Sequence, residues 1–209
     1  MQILLGTTNP AKVRMFQRWF EGYPVTFVTP RDLGITEEPE EGGRDPRENA
    51  RLKAECYGKY ADYVICNDSG LYFANLPLED SRQPGLHIRT PEGRRLDDDQ
   101  MIAYYSGLIA SLGGKVKAFY LDGFALKTPE GMHTYLDTLE AAEDKAFWMT
   151  AEAYPERRPG WPLDSLSLMA DGVTPFLAKD KPKEMFKLAT DEKSNPWLPF
   201  LLKGLGLKK

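Results

Sequence analysis

The chain has 209 residues, 42% of them hydrophobic and 28% charged, which fits one large globular domain, or one domain with a lobe, and argues against a disordered or fibrous protein. Its 27 Lys and Arg against 31 Asp and Glu leave a formal charge of -4, too acidic for a protein that coats a nucleic acid polymer, although compatible with a small anion carried on a metal ion. No apolar run approaches membrane-spanning length, the N-terminus lacks the pattern of a signal peptide, and two cysteines, Cys56 and Cys66, are too few for a disulfide framework; a cytoplasmic location is expected.

Taken in chain order, Ile3 to Leu5 form an apolar strand closed by Gly6-Thr7-Thr8-Asn9-Pro10. Val13, Phe16, Trp19 and Phe20 then recur at helical spacing, with Asn9 as the cap and Pro10 at the first helical position. Val25 to Val28 form a second strand, and Gly34 to Asp45 a long, mobile loop rich in Glu, Gly and Pro. Asp45 caps a helix carrying Ala50, Ala54 and Tyr57 on one face. Tyr63 to Cys66 make a compact strand that stops at Asn67-Asp68-Ser69-Gly70. Asp97 to Leu112 form an amphipathic helix ended by Gly113-Gly114. Phe119 to Leu126 and Met132 to Leu139 form an antiparallel hairpin, which makes the sheet mixed. The tail from Pro155 to Pro199 is loop-rich, with short helices such as Lys183 to Leu188.

Three segments carry chemistry. Thr7, Thr8, Asn9 and Lys12 gather hydroxyls, an amide and an ammonium at a helix N-terminus, where amides and the dipole favour phosphate; the same residues would also serve a plainly capped helix. Glu41, beside Gly42 and Gly43, can reach a Mg²⁺ ion from a flexible position, though charge runs are commonly solvated. Asp68, at the end of a strand, is placed to hold a metal or activate water, unless Asp-Ser-Gly is only a tight turn. His87 and His133 are the only histidines, which excludes a His-rich zinc site or a Ser-His-Asp triad.

Together, T-x-N-x-x-K (Thr7, Asn9, Lys12), E-N-A-x-x-K-A (Glu48 to Ala54) and D-S-G-L (Asp68 to Leu71) resemble the inosine triphosphate pyrophosphatase family, also called Ham1-like or house-cleaning nucleotide pyrophosphatases; Pro84-Gly85 with Arg89 resembles its next segment. The resemblance implies an α/β fold, an elongated mixed β-sheet flanked by helices. It implies a single domain over 1–209 with two lobes around a central cleft, and a homodimer. It further implies Mg²⁺-dependent hydrolysis of nucleoside triphosphates, non-standard purine ones included, to monophosphate and pyrophosphate. By position, Asp68 and Lys12 would be catalytic, and Glu41 and Asp68 would hold the metal. Thr7, Thr8, Asn9, Lys12, Lys53, Ser69, Gly70, Arg89, Trp161, Asp164 and Lys193 would bind substrate.

The second half departs from that pattern. Gly160-Trp161-Pro162-Leu163-Asp164 stands for the family's G-F-G-Y-D-P, and Trp161 serves either as a stacking platform or as core. The base-reading S-H-R has no counterpart around Lys193, and Asn67 replaces the first acid of D-D-S-G. The alternative function is therefore a catalytically impaired nucleotide-binding or regulatory protein on the same fold.

Overall fold

The computed structural model describes residues 1–179 and 196–208. The elements are β1 (Gln2–Leu5), α1 (Pro10–Trp19), β2 (Thr26–Val28), α2 (Pro46–Tyr57), β3 (Val64–Phe73), α3 (Asp98–Ser111), β4 (Lys115–Thr128), β5 (Gly131–Leu136), α4 (Leu139–Glu143), β6 (Phe147–Thr150), β7 (Ser167–Leu168) and α5 (Trp197–Gly204). The strand order is β2-β1-β3-β4-β6-β7, with β5 paired to β4. β1 runs parallel to β2 and β3, whereas β4 pairs antiparallel with β5 and β6, so the sheet is mixed.

The chain divides into two compact units. The first holds Met1–Asp68, Asp122–Leu136 and the C-terminal helix α5; the second holds Ser69–Leu121 and the described residues from Asp137 onward to Lys179. In the first unit, strand alternation divides the apolar side chains between two layers. Ile3, Leu5 and Ile65 pack with Phe16 and Trp19 of α1, with Phe20 just past its end, and with Leu198, Leu201 and Leu202 of α5. Leu4, Val64 and Cys66 pack on the other face with Ala50, Ala54 and Tyr57 of α2. Trp197 reaches Trp19 and Phe124 at ring-centroid distances of 5.4 and 5.2 Å, which locks α5 onto the aromatic layer. The second unit has its own core, where Met101, Ile102, Tyr105 and Ile109 of α3 meet Leu71, Phe73, Val116, Phe147 and Met149.

The caps follow the sequence. Asn9 accepts from the Ala11 amide at 2.9 Å and Asp45 from the Glu48 amide at 2.8 Å; Asp97 and Gln100 close a reciprocal capping box on α3. One expectation is corrected: β3 does not stop at Cys66 but continues to Phe73, so Asp68 lies within a strand. Leu71 and Phe73 are fully buried, and Leu71 exchanges backbone hydrogen bonds with Gly85 at 3.0 and 2.9 Å, so apolar burial carries the extended backbone through Asp-Ser-Gly. The hairpin is longer on its first arm and shorter on its second than expected, because α4 begins at Leu139. The segment Lys183 to Leu188 lies outside the described residues.

Candidate active site

Parallel pairing of Leu5 with Ile65 leaves Asp68 three residues beyond the end of β1, beside the turn that leads into α1. This is the carboxyl edge of the parallel strands, where α/β sheets place ligands. Alternation along β3 puts Asp68 on the same face as Cys66, the face covered by α2. Asn49 and Lys53 are four residues apart on α2, hence neighbours on one helix face, and both reach that carboxylate. Asn49 Nδ2 donates to Asp68 Oδ2 at 2.9 Å, and Lys53 Nζ donates to Asp68 Oδ1 at 2.8 Å. Lys53 also meets Glu41 Oε1 at 2.8 Å, so one ammonium bridges two carboxylates.

Glu41 reaches this position because its loop is tied to the start of α2. The Gly43 amide donates to Asn49 Oδ1 at 2.8 Å, and the Arg44 amide donates to Glu48 Oε2 at 2.8 Å. A Cβ at Gly43 would lie 2.7 Å from both Asn49 Oδ1 and Glu48 Cβ, so only glycine allows this approach. Asn49, 2% exposed, therefore joins loop to strand through both ends of one side-chain amide.

Lys12 completes the cluster from the first turn of α1. Burial pushes its ammonium below the usual pKa and the Lys53 charge adds to the push, while Asp68, Asp122 and Glu41 pull the other way without prevailing. For Lys53, burial likewise opposes the charge, but the charges of Asp68 and Glu41 and their hydrogen bonds outweigh it and hold the pKa above its ordinary value. Two lysines thus sit among three carboxylates: buried cations that an arriving polyphosphate can meet, and carboxylate oxygens of the hard type that magnesium prefers. Among the described residues no group of three or more His, Cys, Asp or Glu is arranged to hold a metal, so any ion here would rest on the Glu41 and Asp68 pair with water and phosphate oxygens, a pattern usual for magnesium. The pair already spaces itself around a cation, the Lys53 ammonium, so the donor set fits.

Other expected residues fall as follows. Thr7 accepts from the Asn9 amide at 3.1 Å, shaping the turn, and Thr8 is exposed. Ser69 and Gly70 follow Asp68 on β3 in the second unit. Arg89 is engaged there by Asp98 at 2.9 Å and by the Leu96 carbonyl at 3.3 Å, and the other Asp98 oxygen accepts from the Gly160 amide at 3.1 Å, next to Trp161. Trp161 is half-buried, with the Arg158 guanidinium 6.0 Å from its ring centroid, and Arg158 also pairs with Asp164 at 2.9 Å. Lys193 lies outside the described residues.

Sequence reasoning missed Asn49, Asp122, Asp98 and Arg158 as members of these groups. For Asn49 the signal was present, since it stands one helical turn before Lys53. Asp122, a lone acid in an apolar strand, gave only the weak signal of a charge out of pattern. Asn67, on the opposite face of β3 from Asp68, is 7% exposed, and its Oδ1 is the only buried side-chain polar atom without a hydrogen-bond partner among the described residues.

The model of the Ham1 family matches residues 3–146, a span that contains Lys12, Glu41, Lys53, Asp68 and Asp122 but not Trp161 or Asp164. A Bacillus subtilis protein named dITP/XTP pyrophosphatase is 30% identical over 200 residues, 92% of this chain and 88% of that protein. A protein of the same name from Thermoanaerobacter pseudethanolicus is 39% identical over 88 residues, and this match spans 42% of each chain. Among solved structures, the Staphylococcus aureus Ham1 protein superposes with a TM-score of 0.68 at 21% identity, covering 98% of this chain and 99% of that one. A HAM1 protein from Coxiella burnetii gives 0.69 at 16% identity, covering 99% and 98%. With the family model matching well over half of its length and a relative aligned along nearly all of it, the chain belongs to the Ham1 family.

Proposed function

We propose that the chain is a Mg²⁺-dependent nucleoside triphosphate pyrophosphatase that cleaves between the α- and β-phosphates. The observation that carries this reading is Asp68 held at 2.8 Å by Lys53 and 2.9 Å by Asn49, with Glu41 on the same lysine, inside the segment matched to the family. The relatives' names make dITP and XTP the first substrates to test. A homodimer belongs to the same proposal and rests on the family resemblance; a cytoplasmic location belongs to it too and rests on the unremarkable N-terminus and on the lack, among the described residues, of a helix long and apolar enough to cross a membrane.

In this mechanism Lys12 and the N-terminal end of α1 draw in the phosphate chain by charge and dipole. Each Asp68 oxygen accepts one protein hydrogen bond in the free enzyme and keeps further acceptor capacity, so the carboxylate can take a proton from water while Asn49 fixes its plane. The water oxygen bonds to the α-phosphorus, the bond to the bridging oxygen breaks, and pyrophosphate leaves with its charge met by the two lysines. Glu41 and Asp68 would hold the magnesium, which when bound offsets the charge of the phosphate oxygens.

Purified protein with Mg²⁺ and a panel of dITP, XTP and the common triphosphates should release pyrophosphate. Asp68→Asn, nearly isosteric but without the base, should slow that release by about 10²–10⁴-fold. Orthophosphate as the sole product would refute the assigned bond. Thermal stabilisation by nucleotide without turnover at any Mg²⁺ concentration would favour a binding protein instead.

A further inference from the structure

We propose that Lys53 is a tethered counter-cation that occupies the Glu41 and Asp68 pair and must leave it before a divalent ion can enter, an inference that rests on the metal reading above. The ammonium is 2.8 Å from Glu41 Oε1 and 2.8 Å from Asp68 Oδ1. Magnesium binds oxygen at about 2.0–2.1 Å, so an ion between the same two oxygens would need the volume that Nζ fills. Ion entry is therefore an exchange of cations.

The surroundings suit such an exchange. The Lys53 and Asp68 side chains are 11% and 12% exposed, whereas that of Glu41 is 54% exposed, so the pair is closed on the strand side and open to solvent on the loop side. Lysine is a point charge on a flexible stem with no fixed fork of donors, and it can swing away without breaking a bidentate geometry. The same ammonium keeps two carboxylates from facing each other bare, which would be costly in a partly dehydrated setting. A displaced Lys53 finds its new counter-ion in the phosphate chain. Metal and triphosphate consequently favour each other's binding, because the nucleotide offers the lysine somewhere to go.

The test is Mg²⁺ binding to the intact protein without nucleotide, by titration calorimetry, for wild type, Lys53→Met, Lys53→Arg, Lys12→Met and Asp68→Asn. If the bridge is closed about nine-tenths of the time, Lys53→Met should tighten the apparent Kd about tenfold. Lys53→Arg should bind no more tightly than wild type, and Lys12→Met, which removes the same charge from a different place, should gain much less than Lys53→Met. Should Lys53→Met lose stability, Mg²⁺ should restore its Tm by more than it shifts the wild type. An unchanged or weaker Kd in Lys53→Met, or an equal gain in Lys12→Met, overturns the exchange while leaving the metal site standing. If no form binds Mg²⁺, or Asp68→Asn binds it as tightly as wild type, the metal reading falls and the exchange with it.

Discussion

At the scale of single residues, the structure gives neighbouring side chains of β3 opposite fates. Asp68 has every polar atom answered from α2, while Asn67 on the other face has a buried oxygen with no partner. Asn49→Ala removes two hydrogen bonds at once, to Asp68 and to Gly43, and leaves a buried carboxylate short of a donor. It should cost about 2–4 kcal/mol in denaturant titration and lower activity more than a surface substitution of equal cost. Asn67→Asp would place a carboxyl where burial favours the neutral form. Its folded pKa would be raised, the native state would bind more protons than the unfolded one, and stability should fall as pH rises through neutrality, the reverse of an ordinary acid. A Tm that is flat between pH 5 and 8 in this variant, roughly the window of a raised carboxyl, would contradict that account. The charged cluster was legible because Lys12, Glu41, Lys53 and Asp68 each sit in a local motif, and local motifs are what a sequence displays. Burial of a lone amide is set by the far side of the sheet, and nothing near Asn67 in the chain announces it.

Among the elements, the helix starts were the most legible and the strand ends the least. Asn9, Asp45 and Asp97 cap where their chemistry demands, since a cap is a contact two or three residues long. β3 was read as ending at a turn because Asp, Ser and Gly favour turns, yet the buried Leu71 and Phe73 outweigh that preference. β6 and β7, four and two residues long, owe their form to neighbours rather than to their own sequence. Two substitutions separate capping from packing at the start of α2. Asp45→Ala should cost about 0.5–2 kcal/mol. Gly123→Ala should cost about 1–3 kcal/mol or more, because its Cβ would stand 2.2 Å from the Arg47 amide nitrogen and 2.3 Å from the Pro46 carbonyl carbon. Equal Tm losses for the pair would show that β4 tolerates a shift away from the helix.

For the molecule as a whole, the acid side of the stability profile follows from its surface pairs. Arg44 holds Glu48, and Arg82 holds Asp80, each at about 2, first by side-chain hydrogen bonds and then by backbone ones. Carboxylates depressed in the folded state contribute above their unfolded pKa and lose that contribution as pH falls. Tm should therefore decline from about pH 4.5 toward pH 2, less steeply at high salt because both pairs are exposed, and Glu48→Gln should flatten part of the slope. Two lobes were expected, but where one core ends and the other begins was not legible in sequence, since β3 and β4 each contribute to both units and no linker composition marks the boundary. That division has a consequence for biosynthesis. The segment Met1–Asp68 leaves the ribosome first, but the aromatic layer formed by Phe16, Trp19 and Phe124 is closed only by Trp197 and the leucines of α5. At ordinary translation speeds that interval lasts on the order of ten seconds, during which a nascent chain shows an adhesive face to chaperones, and a message truncated before α5 would leave that face permanently bare.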